Sequence, residues 1–428
     1  MLIHTVSPGE SLMLIAAKYG VTPQVVASLN GIGVYTTLAV GQALVIRFPE
    51  RSYTVRAGDT LAGIAAAYGV TLNDLYRANP SLEGSDSIRV GQTLVIRFTD
   101  TPSLDFPVGG YLYPFVEQSL LNTVAPFMNV LIPFTYGIRE DGSLYLLNDE
   151  RILEAASKYG AEAWMHLSTY TEGERFDTAL ATAVLSSAAV QEVLISNILA
   201  KMEEKGYVGL DVDFEFLGKE NAAPYAAFLA RVTTALNARG YTVTAALAPK
   251  VRDDQPGLLY EGHDYGAVAA AVNSVLLMTY EWGYTLGPPQ AISPLPEVRR
   301  VVEYALTRMP AEKIYLGISN YGYKWTLPYN AEEPVPAPSL STAEATAIAA
   351  SVGAVIQYDE NAQAPFFTYR ENGRDVEVWY EDARSIDARL GLIPEYGLKG
   401  ALYWNLDRRN VQNLSLLSAT NKAANSNI

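Results

Sequence analysis

Past about residue 100, apolar positions fall into short β-rich runs separated by stretches that carry a helical stripe. The runs lie at roughly 108 to 116, 129 to 138, 161 to 170, 206 to 216, 241 to 250, 274 to 283, 314 to 323 and 399 to 406. Between them Asn148 to Tyr159, Ser187 to Lys205 and Ala222 to Arg239 repeat apolar residues every three or four positions and stop at Gly160, Gly206 and Gly240. Eight strands alternating with helices is the count of an α/β fold closed as a (β/α)8 TIM barrel, here residues 108–428. One connection, between strands seven and eight, is too long at about 75 residues. It holds a helical Thr342 to Ser351 and strand-like Val355 to Tyr358, Pro365 to Tyr369 and Asp375 to Tyr380, which predicts a small α+β insertion at about 325–382 over the C-terminal mouth. Residues after about Asn421 are small and polar and are expected to fray.

The first hundred residues follow a different pattern, and they repeat it. His4-Thr5-Val6-Ser7-Pro8-Gly9-Glu10-Ser11-Leu12 returns 49 residues later as Tyr53-Thr54-Val55-Arg56-Ala57-Gly58-Asp59-Thr60-Leu61. Ile15 to Thr22 returns as Ile64 to Thr71, Asn30 as Asn79, and Val40 to Arg47 as Val90 to Arg97. Each copy reads as strand, helix, helix, strand, with N-caps before Leu12 and Leu61 and helix stops at Gly20 and Gly69. The opening, the Tyr-Gly-Val-Thr turn, the asparagine and the Val-Gly-Gln closing together resemble the LysM domain, in residues 1–48 and 52–98. That resemblance implies binding to N-acetylglucosamine-containing glycans such as peptidoglycan or chitin. Residues 99–107 have linker composition.

Composition changes the picture in three ways. The chain of 428 residues is 49% apolar and 18% charged, enough for two to four domains with a sizeable core. Its charge of −15 is uneven, since residues 1 to 100 hold seven basic and seven acidic side chains and leave 24 against 39 for the rest. An acidic body disfavours nucleic acid and anionic membrane as partners, and no obligate protein partner is evident. The absence of cysteine excludes disulfides, thiolate zinc sites and cysteine nucleophiles. No run approaches the roughly 18 apolar residues of a membrane span, and the opening Met1-Leu2-Ile3-His4 does not read as a secretion signal. The 28 tyrosines suit both packing and stacking on sugar rings.

The chemistry concentrates in Gly209 to Glu215, where Asp211, Asp213 and Glu215 occupy every second position and share one face of a strand. Burying three carboxylates is costly unless they are paired, hydrogen-bonded or protonated. Two carboxyls two residues apart lie about 7 Å apart along a strand, and their repulsion raises one pKa. This strand, the fourth, resembles the D-x-x-D-x-D-x-E strand of the family 18 glycoside hydrolases, with Val208 where the first Asp would stand. That departure is expected to remove a supporting carboxylate deep in the barrel.

The resemblance implies a role for each matching residue. Glu215 would be general acid and then base, Asp213 would orient the substrate's acetamido group, and Asp211 would support it. Within Met278-Thr279-Tyr280-Glu281-Trp282-Gly283, Tyr280 would hydrogen-bond the acetamido oxygen, and Glu281 replaces the usual Asp. Trp404 would floor a sugar subsite, while Asn320, Tyr321 and Tyr323 are expected to line the cleft. No cofactor, metal or second carboxylate nucleophile is implied, because the acetamido oxygen attacks the anomeric carbon. The histidines His4, His166 and His263 are scattered, and His166 is expected to be a satisfied interior group. The order of parts resembles the spore-associated peptidoglycan hydrolases of endospore-forming bacteria, implying an N-acetylglucosaminidase on cortex fragments, located on the spore or outside the cell. A chitinase, a catalytically silent glycan-binding spore-coat protein and a metal-dependent barrel are the competing readings.

Overall fold

The structure, a computed structural model, describes residues 1–171 and 175–425. Each N-terminal repeat forms the expected strand, helix, helix, strand. The first uses Leu2–Thr5, Leu12–Tyr19, Pro23–Asn30 and Ala43–Ile46, the second Pro49–Thr54, Leu61–Tyr68, Leu72–Ala78 and Thr93–Phe98. Ser11 and Thr60 cap their helices by accepting from Leu14 N and Gly63 N, and Gly20 and Gly69 close them in the left-handed conformation. The repeated asparagine has a structural cause. Asn30 Nδ2 donates to Val26 O and Val45 O at 2.8 and 2.9 Å and its Oδ1 accepts from Val45 N at 2.7 Å, tying helix to strand. Asn79 makes the same three bonds with Leu75 and Val95.

The eight barrel strands are Val108–Leu112, Val130–Pro133, Glu162–Ser168, Gly209–Asp213, Thr242–Leu247, Ser274–Leu277, Ile314–Ser319 and Gly400–Trp404. Each pairs in parallel with the next and the eighth pairs with the first, so the sheet closes. Every predicted run contains one of them. Their apolar side chains form the largest core, shared with helices Glu150–Tyr159, Ala188–Lys205 and Ala222–Asn237. The first two end at Gly160 and Gly206 as expected, and the third stops three residues before Gly240.

The insertion differs in extent from its prediction. It is a five-stranded antiparallel sheet that begins at Gly322, running Ser339–Leu340, Gly322–Thr326, Arg374–Trp379, Ala364–Glu371, Gln357–Asp359 in spatial order, with helix Thr342–Val352 against it. Gly322–Thr326 reads in the sequence as a continuation of barrel strand seven because only Asn320 and Tyr321 separate the two apolar runs. A buried ion pair fastens the insertion to the barrel. Glu381 accepts from Ser319 Oγ at 3.0 Å and lies 3.4 Å from Arg389, both side chains being essentially inaccessible.

The connecting segment 99–107 is ordered, and the expectation of a frayed tail changes. The stretch 99–107 is a pinned strap, since Leu104 N donates to Thr420 O at 2.9 Å and Phe106 exchanges bonds of 3.2 and 2.8 Å with the Asn421 amide. The start of the tail is its partner and does not fray. Asn421 is fully buried, Lys422 N donates to Leu104 O at 2.8 Å, and Asn129 Nδ2 donates to Ala423 O at 3.0 Å. The expected fraying of 426–428 lies outside the described residues. Both repeats dock on the barrel. Ser415 Oγ and Gln412 Nε2 of the C-terminal helix donate to Leu29 O and Ala43 O at 2.7 and 2.8 Å, Ile356 N donates to Val40 O at 2.8 Å, and Asn73 Nδ2 donates to Tyr159 O at 2.8 Å.

Candidate active site

Barrel strand four ends at Asp213, and the packing just past it sets where Glu215 points. Phe214 is fully buried between Tyr225 and Phe228, with ring centroids 5.6 and 5.7 Å away. Its carbonyl is held by His263, which sequence reasoning left without a role. His263 Nδ1 accepts from Ala248 N at 2.9 Å, so its proton sits on Nε2, which donates to Phe214 O at 2.9 Å. One buried imidazole therefore joins the ends of strands four and five and fixes the peptide carrying Glu215. Phe214, turned to the opposite face, leaves Glu215 projecting into the barrel mouth.

The carboxylates meet a cavity of ≈ 210 Å³ at that mouth, lined by Asp213, Glu215, Tyr280, Glu281 and Trp404 among the predicted residues. Tyr111, Tyr113, Phe134, Tyr170 and Tyr260 complete much of its aromatic wall. No motif marked these five, because an aromatic at a strand end, or in the short helix Leu258–Glu261 that holds Tyr260, reads as core until the barrel closes and turns it inward. Trp404 packs edgewise on Phe134 and Tyr111 at 5.0 and 5.5 Å.

Below the cavity Tyr111 OH donates to Asp211 Oδ2 at 2.8 Å. Asp211 Oδ1 and Asp213 Oδ1 are buried without a protein partner. Burial pushes the Asp211 carboxyl up from 3.8 to about 6, against His166 and the Tyr111 hydrogen bond, which pull it down. Glu215 is raised well above the usual carboxylate range, first by desolvation and then by the charges of Asp213 and Glu281. Burial is thus the leading cause of the rise, ahead of the repulsion expected from the two-residue spacing. Glu281 takes a left-handed φ of 67° and accepts at Oε1 from Tyr321 OH and, at 3.0 Å, from Tyr323 OH.

Several further expectations change. Val208 is 42% exposed and has the opposite parity to the acidic row, so an aspartate there would face away from the barrel interior. Asn320 does not line the cavity. It is buried, donates to Asn405 O and Arg408 O at 3.2 and 3.0 Å, and accepts from Asn410 at 3.1 Å, which leaves it bracing the loop after strand eight. Tyr321 and Tyr323 also stand behind the lining and hydrogen-bond to the site through Glu281. His166 is satisfied at one nitrogen alone. Thr135 Oγ1 lies 2.6 Å from Nδ1, while Nε2 has no hydrogen-bond partner and sits 3.5 and 3.6 Å from Asp211 and Asp213. It is a neighbour of the acidic row.

Comparison with known proteins places this geometry in context. The model of glycosyl hydrolases family 18 matches residues 132–408, and the LysM domain matches residues 4–47 and 53–97. A cortical fragment-lytic enzyme of Bacillus subtilis (strain 168) is 38% identical over 423 residues, covering 86% of this chain and 97% of that one. The crystal structure of the Bacillus cereus spore cortex-lytic enzyme SleL superposes with a TM-score of 0.82 at 35% identity, covering 99% of both chains. A chitinase from Chromobacterium violaceum ATCC 12472, at 22% identity and a TM-score of 0.68 over 73% of this chain and 98% of that one, shares the fold.

Proposed function

The chain belongs to glycosyl hydrolases family 18 and carries two LysM domains, and on that premise we propose that it hydrolyses spore-cortex peptidoglycan as an N-acetylglucosaminidase. The observation that carries the reading is the pairing of Glu215, whose carboxyl is raised by its surroundings, with Asp213, whose buried Oδ1 has no protein partner, on the wall of one aromatic cavity. An orphaned buried carboxylate oxygen is costly unless a ligand satisfies it. The acetamido N–H of an N-acetylglucosamine over Trp404 supplies that donor.

In this mechanism Asp213 fixes the acetamido group and Tyr280 donates to its carbonyl oxygen. That oxygen attacks the anomeric carbon as Glu215 gives its proton to the departing glycosidic oxygen, and the bond between them breaks. The Glu215 carboxylate then takes a proton from a water that adds to the same carbon, opening the ring formed by the acetamido group and restoring the configuration. Asp211 compensates the charge that develops beside it, with Tyr111 and His166 at its flanks. The LysM pair anchors the protein to the same glycan, consistent with association with the spore, and two linked sites raise affinity only if both reach one strand.

The test is a matched pair of glycans, one N-acetylated and one with free amines. Turnover should vanish with the acetamido group, and Asp213→Asn should be severely impaired on the acetylated glycan. Equal rates on the two would remove the substrate-assisted reading.

A further inference from the structure

His166 stands on barrel strand three beside Asp211, its register partner on strand four, and is 1% exposed. Two rings hold its plane, Phe134 at 4.9 Å and Tyr111 edge-on at 5.3 Å. Nδ1 lies 2.6 Å from Thr135 Oγ1, which lies 2.9 Å from Ser168 Oγ, and Ser168 Oγ accepts from Tyr170 N at 3.2 Å. The other nitrogen, Nε2, faces Asp211 Oδ2 at 3.5 Å and Asp213 Oδ2 at 3.6 Å without a hydrogen bond to either. Leaving a buried nitrogen unpaired is destabilising, and a role in the chemistry is one of the few reasons a fold retains one.

The surroundings decide which nitrogen carries the proton. Asp211 Oδ2 already accepts from Tyr111 OH, so it presents lone pairs to its other neighbours. A bare Nε2 would set a lone pair against two carboxylate oxygens, whereas an Nε2–H finds two acceptors. Running the hydroxyl chain from Ser168 to Thr135 to Nδ1 gives each of those protons an acceptor and leaves the ring proton on Nε2. A movement of about 0.5 Å by either carboxylate completes the hydrogen bond. The polar groups facing the ring are therefore Tyr111 from strand one, Thr135 after strand two, and Asp211 and Asp213 from strand four. Glu215 and Tyr280 in turn feel the charge of Asp213.

We propose that His166 is a positioning residue of the acidic row, its Nε2–H shared between Asp211 Oδ2 and Asp213 Oδ2 so that the second oxygen of Asp213 is turned to the acetamido N–H; the proposal rests on the hydrolase reading above. A carboxylate held by one oxygen from inside the barrel has its other oxygen fixed in direction. For Asp213 that other oxygen is Oδ1, the one left without a protein partner. The same imidazole pulls the Asp211 carboxyl down against the effect of burial, which favours the ionised row beneath the sugar.

The first experiment reads the proton directly. The chain has three histidines, His4, His166 and His263, so nitrogen NMR can assign the His166 ring with His166→Gln as the reference. Wild type should carry a proton on Nε2, and a proton on Nδ1 alone would overturn the proposal. The second follows kcat/KM on N-acetylated glycan fragments from about pH 4 to 8 for wild type, His166→Gln and His166→Leu. Glutamine keeps an N–H donor at a similar reach, and leucine has none. His166→Leu should lower kcat/KM about 10-fold, the size of one hydrogen bond to a charged group, and move the acid limb up by about one pH unit as Asp211 loses the pull of the imidazole. His166→Gln should recover most of both effects. In variants that unfold like wild type, equal impairment by glutamine and leucine, or a loss in His166→Leu with the acid limb unmoved, would overturn the role and leave the hydrolase reading intact. A wild type that turns over none of the fragments would overturn the hydrolase reading, whatever the position of the ring proton.

Discussion

Asp211, Asp213 and Glu215 share a strand face but not an environment, and burial separates their tasks. Asp211 holds its proton more tightly in the folded chain than in the unfolded one, about 6 against 3.8. Its contribution to stability is therefore intact below about pH 4 and is lost as pH rises through about 6, a swing of up to about 3 kcal/mol. Asp211→Asn should remove that part of the pH dependence. The check is thermal unfolding from pH 4 to 7, in which the variant's Tm falls less than that of wild type. Parallel curves would mean that Asp211 is not buried with a raised carboxyl. The raised Glu215 acts in the same direction, which places the acid limb of stability and the protonated catalytic form on the same side of the titration.

At the scale of elements, much was legible because periodicity and punctuation agreed. The eight strands, the two repeats and the ends at Gly20, Gly69, Gly160 and Gly206 follow from alternation, helical stripes and glycine stops. The acidic strand and the Tyr280 and Trp404 strand ends were also legible, as residue types at spacings that chemistry needs. What stayed hidden depends on closure. Nothing local distinguishes the cavity aromatic Tyr111 from core, or reveals that His263 reaches back to Phe214 across 49 positions. Asn320 looked like a cleft residue because strand-end polarity is ambiguous until its partners are known. Gly41 and Gly91 close the two repeats with the same motif and φ near 85°, yet their surroundings differ. A Cβ on Gly41 would stand 1.9 Å from Ile356 O, whereas one on Gly91 meets nothing within 4 Å. Gly91→Ala should cost about 1 kcal/mol of backbone strain, and Gly41→Ala about 3 kcal/mol or more because the docked insertion must move. Denaturant unfolding of the two variants measures the difference, and equal losses would mean that the first repeat is not seated on the insertion.

The whole molecule is a docked body in which anchor and barrel share surfaces. Arg47 of the first repeat donates from Nη1 to Ser418 Oγ of the C-terminal helix at 3.3 Å, and Arg409 reaches Glu83 of the second repeat at 2.8 Å. The C-terminal helix Val411–Thr420, whose Val411, Gln412 and Ser415 are buried against the first repeat, would be exposed without it. Removing residues 1–98 should lower the Tm of the remainder by about 5 °C or more as well as weakening retention on insoluble glycan. An unchanged Tm would mean that the modules are tethered and not docked. A fixed anchor also limits which stretch of a bound strand can enter the cavity beside Glu215.

The central claim, that Glu215 and the substrate's own acetamido group cleave after N-acetylglucosamine, is tested most directly by mass spectrometry of the sugars at newly formed reducing ends in cortex fragments treated with wild type and with Glu215→Gln. Wild type should leave N-acetylglucosamine at every new reducing end, and the variant, with an unchanged unfolding transition, should leave none. Muramic acid at the new ends, or normal product formation by Glu215→Gln, would contradict the account.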